Sequence, residues 1–292
     1  MTATAPLPRT YLFVPGNRPE RFPKALASGA DALILDLEDS VPAPEKPAAR
    51  NAIRQWLNTT TPDRSIWIRI NPLPTQAYQD DLQLLRTVQA NGVFLPKCEG
   101  AADVQTLNEA LNLIEQATGK TSNALSVIAI ATETARAVQL MPTFTRPLPR
   151  LAGLLWGAED LASALGLRSL RASDGQYLSP AANARDAALL ASHACGVSAI
   201  DAVFTGLEDE AGLAAETRTH AALGFTAKAA IHPNQIPVIH QALLPSEDDL
   251  AWANEVVNEL ADGERSSGRV RGSMVDQPHL EAARRMLKAR SN

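Results

Sequence analysis

The chain has 292 residues, 45% of them hydrophobic and 20% charged, with a formal net charge of −5. That is ample for a full core, either as one large α/β domain or as a domain with an appendage, and a pI near 5.6 argues against a nucleic-acid binder, which needs a concentrated basic face. Two cysteines, Cys98 and Cys195, fit a reducing compartment and can build neither a disulfide framework nor a thiolate metal site. No apolar run reaches the roughly 18 residues of a membrane span, and Met1–Pro8 lacks the charged and apolar regions of a signal peptide. The expected location is the cytoplasm.

Arg9–Val14 reads as a first strand, stopped by Pro15 and Gly16. Arg18–Ser28 follows as a helix, with Pro19 tolerated in its first turn. Asp31–Leu37 is a second strand, apolar through Ala32–Leu35 as a strand buried on both faces must be. It runs into the acids Asp36, Glu38 and Asp39, the layout of a strand feeding an α/β enzyme site. Asp39 and Ser40 are also good N-cap types, so capping stands beside function here. Glu45–Leu57 is a helix and Ser65–Ile70 a third strand, then Asn71, Pro72 and a helix to about Gln89. Gly92–Leu95 is a short fourth strand ending at Lys97, and Ala101–Thr118 a long amphipathic helix. Leu125–Ala131 ends at Glu133, Leu151–Trp156 at Asp160, Ile200–Phe204 at Gly206, and Phe225–Ile231 at His232.

Eight strand-then-helix units in this length predict a (β/α)₈ TIM barrel over residues 1–241 rather than an open doubly wound sheet. No G-x-G-x-x-G follows a strand and there is no Walker P-loop, which removes the commonest nucleotide-binding alternatives. Residues 242–292 form a C-terminal helical extension, with helices at Glu247–Ala261 and Pro278–Lys288 joined by a polar connection at Asp262–Gly272. Such a tail packs outside the barrel, lies across its mouth or reaches a neighbouring subunit.

Barrel enzymes build their sites from the C-terminal ends of the strands. Those ends carry Glu38, Asp39, Arg69, Asn71, Lys97, Glu133, Asp160 and His232. Glu133 and Asp160, from adjacent strands, suit a hard oxygen-loving ion, Mg²⁺ being the natural choice, although an isolated acid at such a place often only caps a helix. Arg69, inside the apolar strand I-W-I-R-I, needs a partner: either a substrate oxygen or a buried pair with Glu38 or Asp39. Lys97 has a similar choice between a site role and solvent. Arg18, Arg21 and Lys24, spaced i, i+3, i+6, could share a helix face and meet phosphates, or form a solvated basic face. His232 is a ligand contact or a loop histidine.

These segments resemble a known family. L-F-V-P-G at Leu12–Gly16, L-D-L-E-D-S-V at Leu35–Val41, R-I-N at Arg69–Asn71, L-P-K at Leu95–Lys97, Glu133-Thr134, G-A-E-D-L at Gly157–Leu161 and A-I-H-P-N-Q at Ala229–Gln235 are similar to the citrate lyase β-subunit-like branch of the HpcH/HpaI aldolase superfamily. That branch includes citryl-CoA, malyl-CoA and citramalyl-CoA lyases. The resemblance implies Mg²⁺ on Glu133 and Asp160, substrate contacts from Arg69 and Glu133, and an acyl-CoA path lined by Phe13 and the Ile231-His232 turn; Lys24, from its place on the basic face, is counted with them as substrate-binding. G-S-M-V-D-Q-P at Gly272–Pro278 looks like the C-terminal segment of malyl- and citramalyl-CoA lyase-like members, whose aspartate, here Asp276, reaches a neighbouring subunit's site as the general acid–base. A homo-oligomer, trimer or hexamer, is therefore expected. The chain has no histidine before His193, which disfavours a metal-dependent pyruvate aldolase with a histidine base near the second strand.

The implied reaction is Mg²⁺-dependent cleavage or formation of a 3-hydroxyacyl-CoA, giving acetyl-CoA and an oxo acid. Alternatives are a citrate lyase subunit acting on a carrier-bound citryl thioester, a malyl-CoA-type thioesterase or synthase, a phosphoenolpyruvate- or pyruvate-using barrel, and a non-catalytic scaffold.

Overall fold

The computed structural model describes residues 8–173, 175–260 and 266–291. Residues 1–7, Ala261 and residues 262–265, on which parts of the expectations above rest, lie outside the described residues. The chain divides into two compact units, Met1–Ile239 and His240–Asn292.

The first unit is a closed barrel of eight parallel strands in sequential order. In chain order its elements are β1 Thr10–Pro15, α1 Phe22–Leu26, β2 Ala32–Asp36, α2 Lys46–Thr59, β3 Ser65–Arg69, α3 Gln76–Leu85, β4 Gly92–Leu95 and α4 Ala101–Thr118. They continue with β5 Ser126–Ile130, α5 Ala135–Leu140, β6 Leu151–Leu155, α6 Ala158–Leu165, α7 Ser179–Cys195, β7 Ser198–Asp201, α8 Glu210–Leu223, β8 Ala227–Ala230 and α9 Gln235–Leu243, within which the boundary between units falls. Closure is through β1 against β8, with Thr10 opposite Lys228. The barrel interior is filled rather than hollow. Tyr11, Trp67 and Phe94 meet edge to face with centroids 5.6–6.1 Å apart, and Ile34, Ile128 and Ile200 complete the layer.

Local differences from the sequence reading have local causes. The expected helix Arg18–Ser28 is a 3₁₀ turn at Pro19–Arg21 followed by the five-residue α1, because Pro23 cannot extend the hydrogen-bond ladder. Arg18, Arg21 and Lys24 therefore share no continuous helix face. Arg18 pairs instead with Glu20 at 2.7 Å. Helix α3 stops at Leu85 rather than near Gln89, and the Lys120 ammonium takes the carbonyls of Leu85 and Val88 at 3.1 and 2.7 Å. Strand β7 begins and ends earlier than Ile200–Phe204. Among the described residues no helix is long and apolar enough to cross a membrane.

The second unit comprises α10 Glu247–Leu260, β9 Ser267–Val270, β10 Ser273–Asp276 and α11 Gln277–Ser291. The polar stretch read as a plain connection is in fact half of an antiparallel hairpin, β9 pairing with β10 across the turn Arg271-Gly272. Both turn residues have positive φ, 47° and 85°, the geometry that lets a two-residue turn follow strand twist. Its apolar side is covered by Val256, Leu260, Leu280 and Ala283, packed with Val270 and Val275.

Candidate active site

At the carboxyl ends of the barrel strands lies a cavity of 390 Å³. Of the residues expected at a site, Phe13, Asp39, Arg69, Glu133, Asp160 and Ile231 line it, as does Arg21. Lys24 and His232 are not among its lining residues. The His232 imidazole accepts from the Asn234 amide at 3.2 Å. Asn71 is a structural group: its amide nitrogen donates to Asp81 (2.7 Å) and to the Leu37 carbonyl (3.0 Å), while Arg50 holds the other oxygen of Asp81 at 2.7 Å. Asp276 belongs to the second unit. A separate hollow of 460 Å³ beside Arg86 and Lys120 offers no acid.

Glu133, three residues past β5, is almost wholly buried. Its Oε2 accepts the backbone N–H of Lys97, a residue turned to φ 50°; left-handed backbone at a non-glycine residue is tolerated where it aims a group. Burial pushes the Glu133 acid up to about 8, and the charges of Asp160 and Glu38 add to the rise against the Lys97 amide. A carboxyl so placed ionises readily only with a cation beside it. Asp160, in the first turn of α6, is more open, its side chain 38% exposed. Gly157 makes the close approach of these two elements possible, since a Cβ there would lie 2.4 Å from Glu133 Cγ. Its amide is fixed on Thr132 Oγ1 at 3.0 Å.

Arg69 ends β3 directly opposite Asp36 on β2. Its Nε and Nη2 each meet one Asp36 oxygen at 2.6 Å, a bidentate fork, and Nη1 lies 3.0 Å from Glu38. The sequence reading named Glu38 or Asp39 as the partner; Asp36 is the main one. Burial would raise the Asp36 acid, but the guanidinium and its hydrogen bonds hold it below the usual carboxylate range. Glu38 Oε2 is buried without a hydrogen bond of good geometry, and burial drives its acid up to about 6 despite Arg69 and Lys97. The Lys97 ammonium contacts Glu38 and sits 3.3 Å from Asp39 and 3.7 Å from Asp160. It is therefore a member of the acid cluster rather than a solvated side chain. Burial alone would lower its pKa, and Glu38, by hydrogen bond and charge, with the charges of Glu133 and Asp39, raises it. The Phe13 ring lies 4.9 Å under the Arg69 guanidinium.

A second polar layer went unread in the sequence. The indole N–H of the buried Trp156, a cavity wall, donates to Asp201 Oδ1 at 2.8 Å. Asp201 Oδ2 receives the fully buried Lys228 ammonium at 2.5 Å and meets His220 Nδ1 at 2.9 Å. Lys228 also donates to Glu216 at 3.0 Å. Burial would raise the Asp201 acid, but Lys228 and His220 depress it strongly. Ligand atoms of Asp201, Glu216 and His220 converge within 4.8 Å, as a metal site would, but Lys228 already supplies the positive charge there. A lysine inside the strand sequence T-A-K-A-A was the same signal that exposed Arg69.

A closed parallel barrel whose carboxyl mouth gathers two acids and a fixed arginine around one cavity has the layout of a barrel enzyme's active site. The sequence profile of HpcH/HpaI aldolase/citrate lyase matches residues 9–233, and the chain belongs to that family. It is 41% identical over 280 residues to a citrate lyase subunit beta-like protein of Mycobacterium tuberculosis, covering 95% of this chain and 94% of the relative. Identity to the L-malyl-CoA/beta-methylmalyl-CoA lyase of Cereibacter sphaeroides is 31%, covering 93% of this chain and 89% of that one. Among solved structures, CitE from M. tuberculosis in complex with magnesium, acetoacetate and coenzyme A superposes with a TM-score of 0.84 at 40% identity, covering 97% of this chain and 98% of that chain.

Proposed function

We propose that this protein is a Mg²⁺-dependent carbon–carbon lyase that cleaves, or forms, a 3-hydroxyacyl-CoA such as citryl-, malyl- or citramalyl-CoA, with acetyl-CoA and an oxo acid as the other side of the reaction. The observation that carries the reading is Glu133. It is a buried acid held up to about 8, aimed into the cavity beside Asp160 and within the field of a locked guanidinium. Two hard oxygen donors of this kind fit Mg²⁺, and Glu133 and Asp160 would hold it. When bound, the ion would polarise the hydroxyl and carboxylate oxygens of the oxo-acid half as a Lewis acid.

The chain's own groups do the rest. Of the five N–H donors of Arg69, Asp36 takes two and Glu38 faces a third. Two remain for an oxygen in the cavity. Because Asp36 clamps the fork, those donors need no reorganisation when charge grows on the thioester enolate oxygen. Loss of the hydroxyl proton and rupture of the bond between carbons 2 and 3 send the bonding pair into that enolate. One proton returned to carbon 2 then gives acetyl-CoA, while the hydroxyl carbon becomes the oxo carbon of the acid. Asp276 of a neighbouring copy is assigned that proton transfer, in a homotrimer or hexamer with composite sites. Phe13 and Ile231 line the cavity and are assigned the apolar wall for the acyl-CoA, and Lys24 and His232, outside that lining, are assigned to its CoA end.

Purified protein is tested with citryl-, malyl- and citramalyl-CoA, in Mg²⁺ and in EDTA. Metal-dependent cleavage of one of them supports the reading; no cleavage of any by folded protein moves it to a carrier-bound thioester. Mixing Arg69→Ala and Asp276→Ala chains and re-forming the oligomer tests the composite site, since one intact site in the hybrid restores activity.

A further inference from the structure

Asp276 closes β10 and directly precedes α11, the place of a helix N-cap. An aspartate there ordinarily spends its carboxylate on the backbone amides of the second and third helical residues. Here the sequence continues Gln277-Pro278-His279. Pro278 has no N–H to give, and the carboxylate turns to a side chain instead. Asp276 Oδ1 lies 2.6 Å from His279 Nδ1. A carboxylate oxygen only accepts, so this contact takes the tautomer with the proton on Nδ1; the Asp276 amide, whose 3.3 Å approach would need Nδ1 as acceptor, makes no bond in that tautomer. The imidazole is itself braced, its ring edge-on to Trp252 with centroids 6.5 Å apart. Trp252 packs against the core of the second unit. Both members of the pair stay partly open, with side chains 36% and 43% exposed.

We propose that His279 is a positioning residue for Asp276: its Nδ1–H holds Oδ1 so that Oδ2 stays free and oriented for proton transfer. The inference rests on the assignment of Asp276 above and adds the residue that makes its carboxylate a directed base rather than a helix cap. Without the imidazole, Asp276 loses the donor that fixes Oδ1, and both carboxylate oxygens lose their fixed direction. A purely structural cap would alter stability and leave proton transfer untouched.

The test follows exchange of the acetyl-CoA methyl protons for deuterium in D₂O, read by NMR, with Mg²⁺ and with oxalate in place of the oxo acid. The expected results are no exchange in Asp276→Ala and a maximal rate about 10–100-fold lower in His279→Ala at unchanged acetyl-CoA KM. His279→Asn, whose Nδ2 stands roughly where Nδ1 stood, returns to within about threefold of wild type. Wild-type exchange in His279→Ala, with Asp276→Ala inactive, overturns the role of His279 alone. Equal losses in the Ala and Asn variants overturn the hydrogen-bond argument. Exchange absent from wild type, or surviving in Asp276→Ala, overturns the Asp276 assignment and this inference with it.

Discussion

Gly157→Ala should damage the site far more than the fold. The backbone at Gly157, φ −100° and ψ 90°, is open to alanine, so no conformational strain opposes the change. The added methyl, however, would sit 2.4 Å from Glu133 Cγ and 3.3 Å from Ile130 Cγ2, against ordinary carbon contacts of about 3.5–4.0 Å. Something must withdraw by about 1 Å. The Gly157 amide is anchored on Thr132, and the Ile130 side chain is in the barrel core. The Glu133 side chain is the part that yields. Overpacking costs about 1–3 kcal/mol, partly offset by about 0.4–1 kcal/mol from the stiffer unfolded chain. The melting temperature should therefore fall by only a few degrees, at about 2–4 °C per kcal/mol for a chain of this size. Displacing a metal-binding carboxylate by about 1 Å should lower turnover by about 10²-fold and raise the Mg²⁺ concentration needed for half activity. Steady-state kinetics across a Mg²⁺ titration, beside a thermal melt, reads both. Turnover within about threefold of wild type at the same Mg²⁺ requirement would refute the packing argument.

Other expectations follow from the two buried ion networks. Arg69→Lys keeps the charge but loses the fork on Asp36; turnover should fall by about 10²–10³-fold, as for loss of an oxyanion donor, with a smaller change in KM. Lys228→Met leaves the buried Asp201 without its main cation, while Glu216 keeps Arg171, and urea unfolding should show a loss of about 3–5 kcal/mol. A pH series tests the same network. Asp201 and Asp36 are depressed below their ordinary value of 3.8, so the folded state binds fewer protons there than the unfolded state. Their stabilisation is present above that value and is lost as pH falls below it toward the folded pKa. Urea midpoints for wild type should drop steeply between about pH 4 and pH 2, and less steeply for Lys228→Met, in which Asp201 has lost its main cation.

The barrel was legible because parallel strands buried on both faces must be continuously apolar, and because each ends in polar residues at one phase of the repeat. Ala32–Leu35 and Asp36–Asp39 show both halves of that signal. Glu133, Asp160 and Arg69 were legible for the same reason and do face one cavity. The partner of Arg69 was harder, because it depends on register: Asp36 is opposite Arg69 only once β2 and β3 are aligned. Asp201 hid inside the expected strand Ile200–Phe204. Its Oδ1 accepts from the Ala202 amide at 2.9 Å, and the strand stops at Asp201. The hairpin of the second unit was masked by composition. Its turn carries Arg271 where asparagine or aspartate would announce a hairpin, and that arginine is held by Glu255 at 3.0 Å and Asp248 at 2.8 Å. Those partners come from α10, beyond the reach of a local pattern.

Product analysis tests the central claim most directly. Each candidate 3-hydroxyacyl-CoA is incubated with the protein and Mg²⁺, and acetyl-CoA, oxo acid and free CoA thiol are quantified together over time. A carbon–carbon lyase gives acetyl-CoA and oxo acid in equal amounts with no early thiol, and neither product forms in EDTA or with Glu133→Gln. Free CoA and the intact hydroxy acid appearing from the start, with no acetyl-CoA, would contradict the account and make the protein a thioesterase.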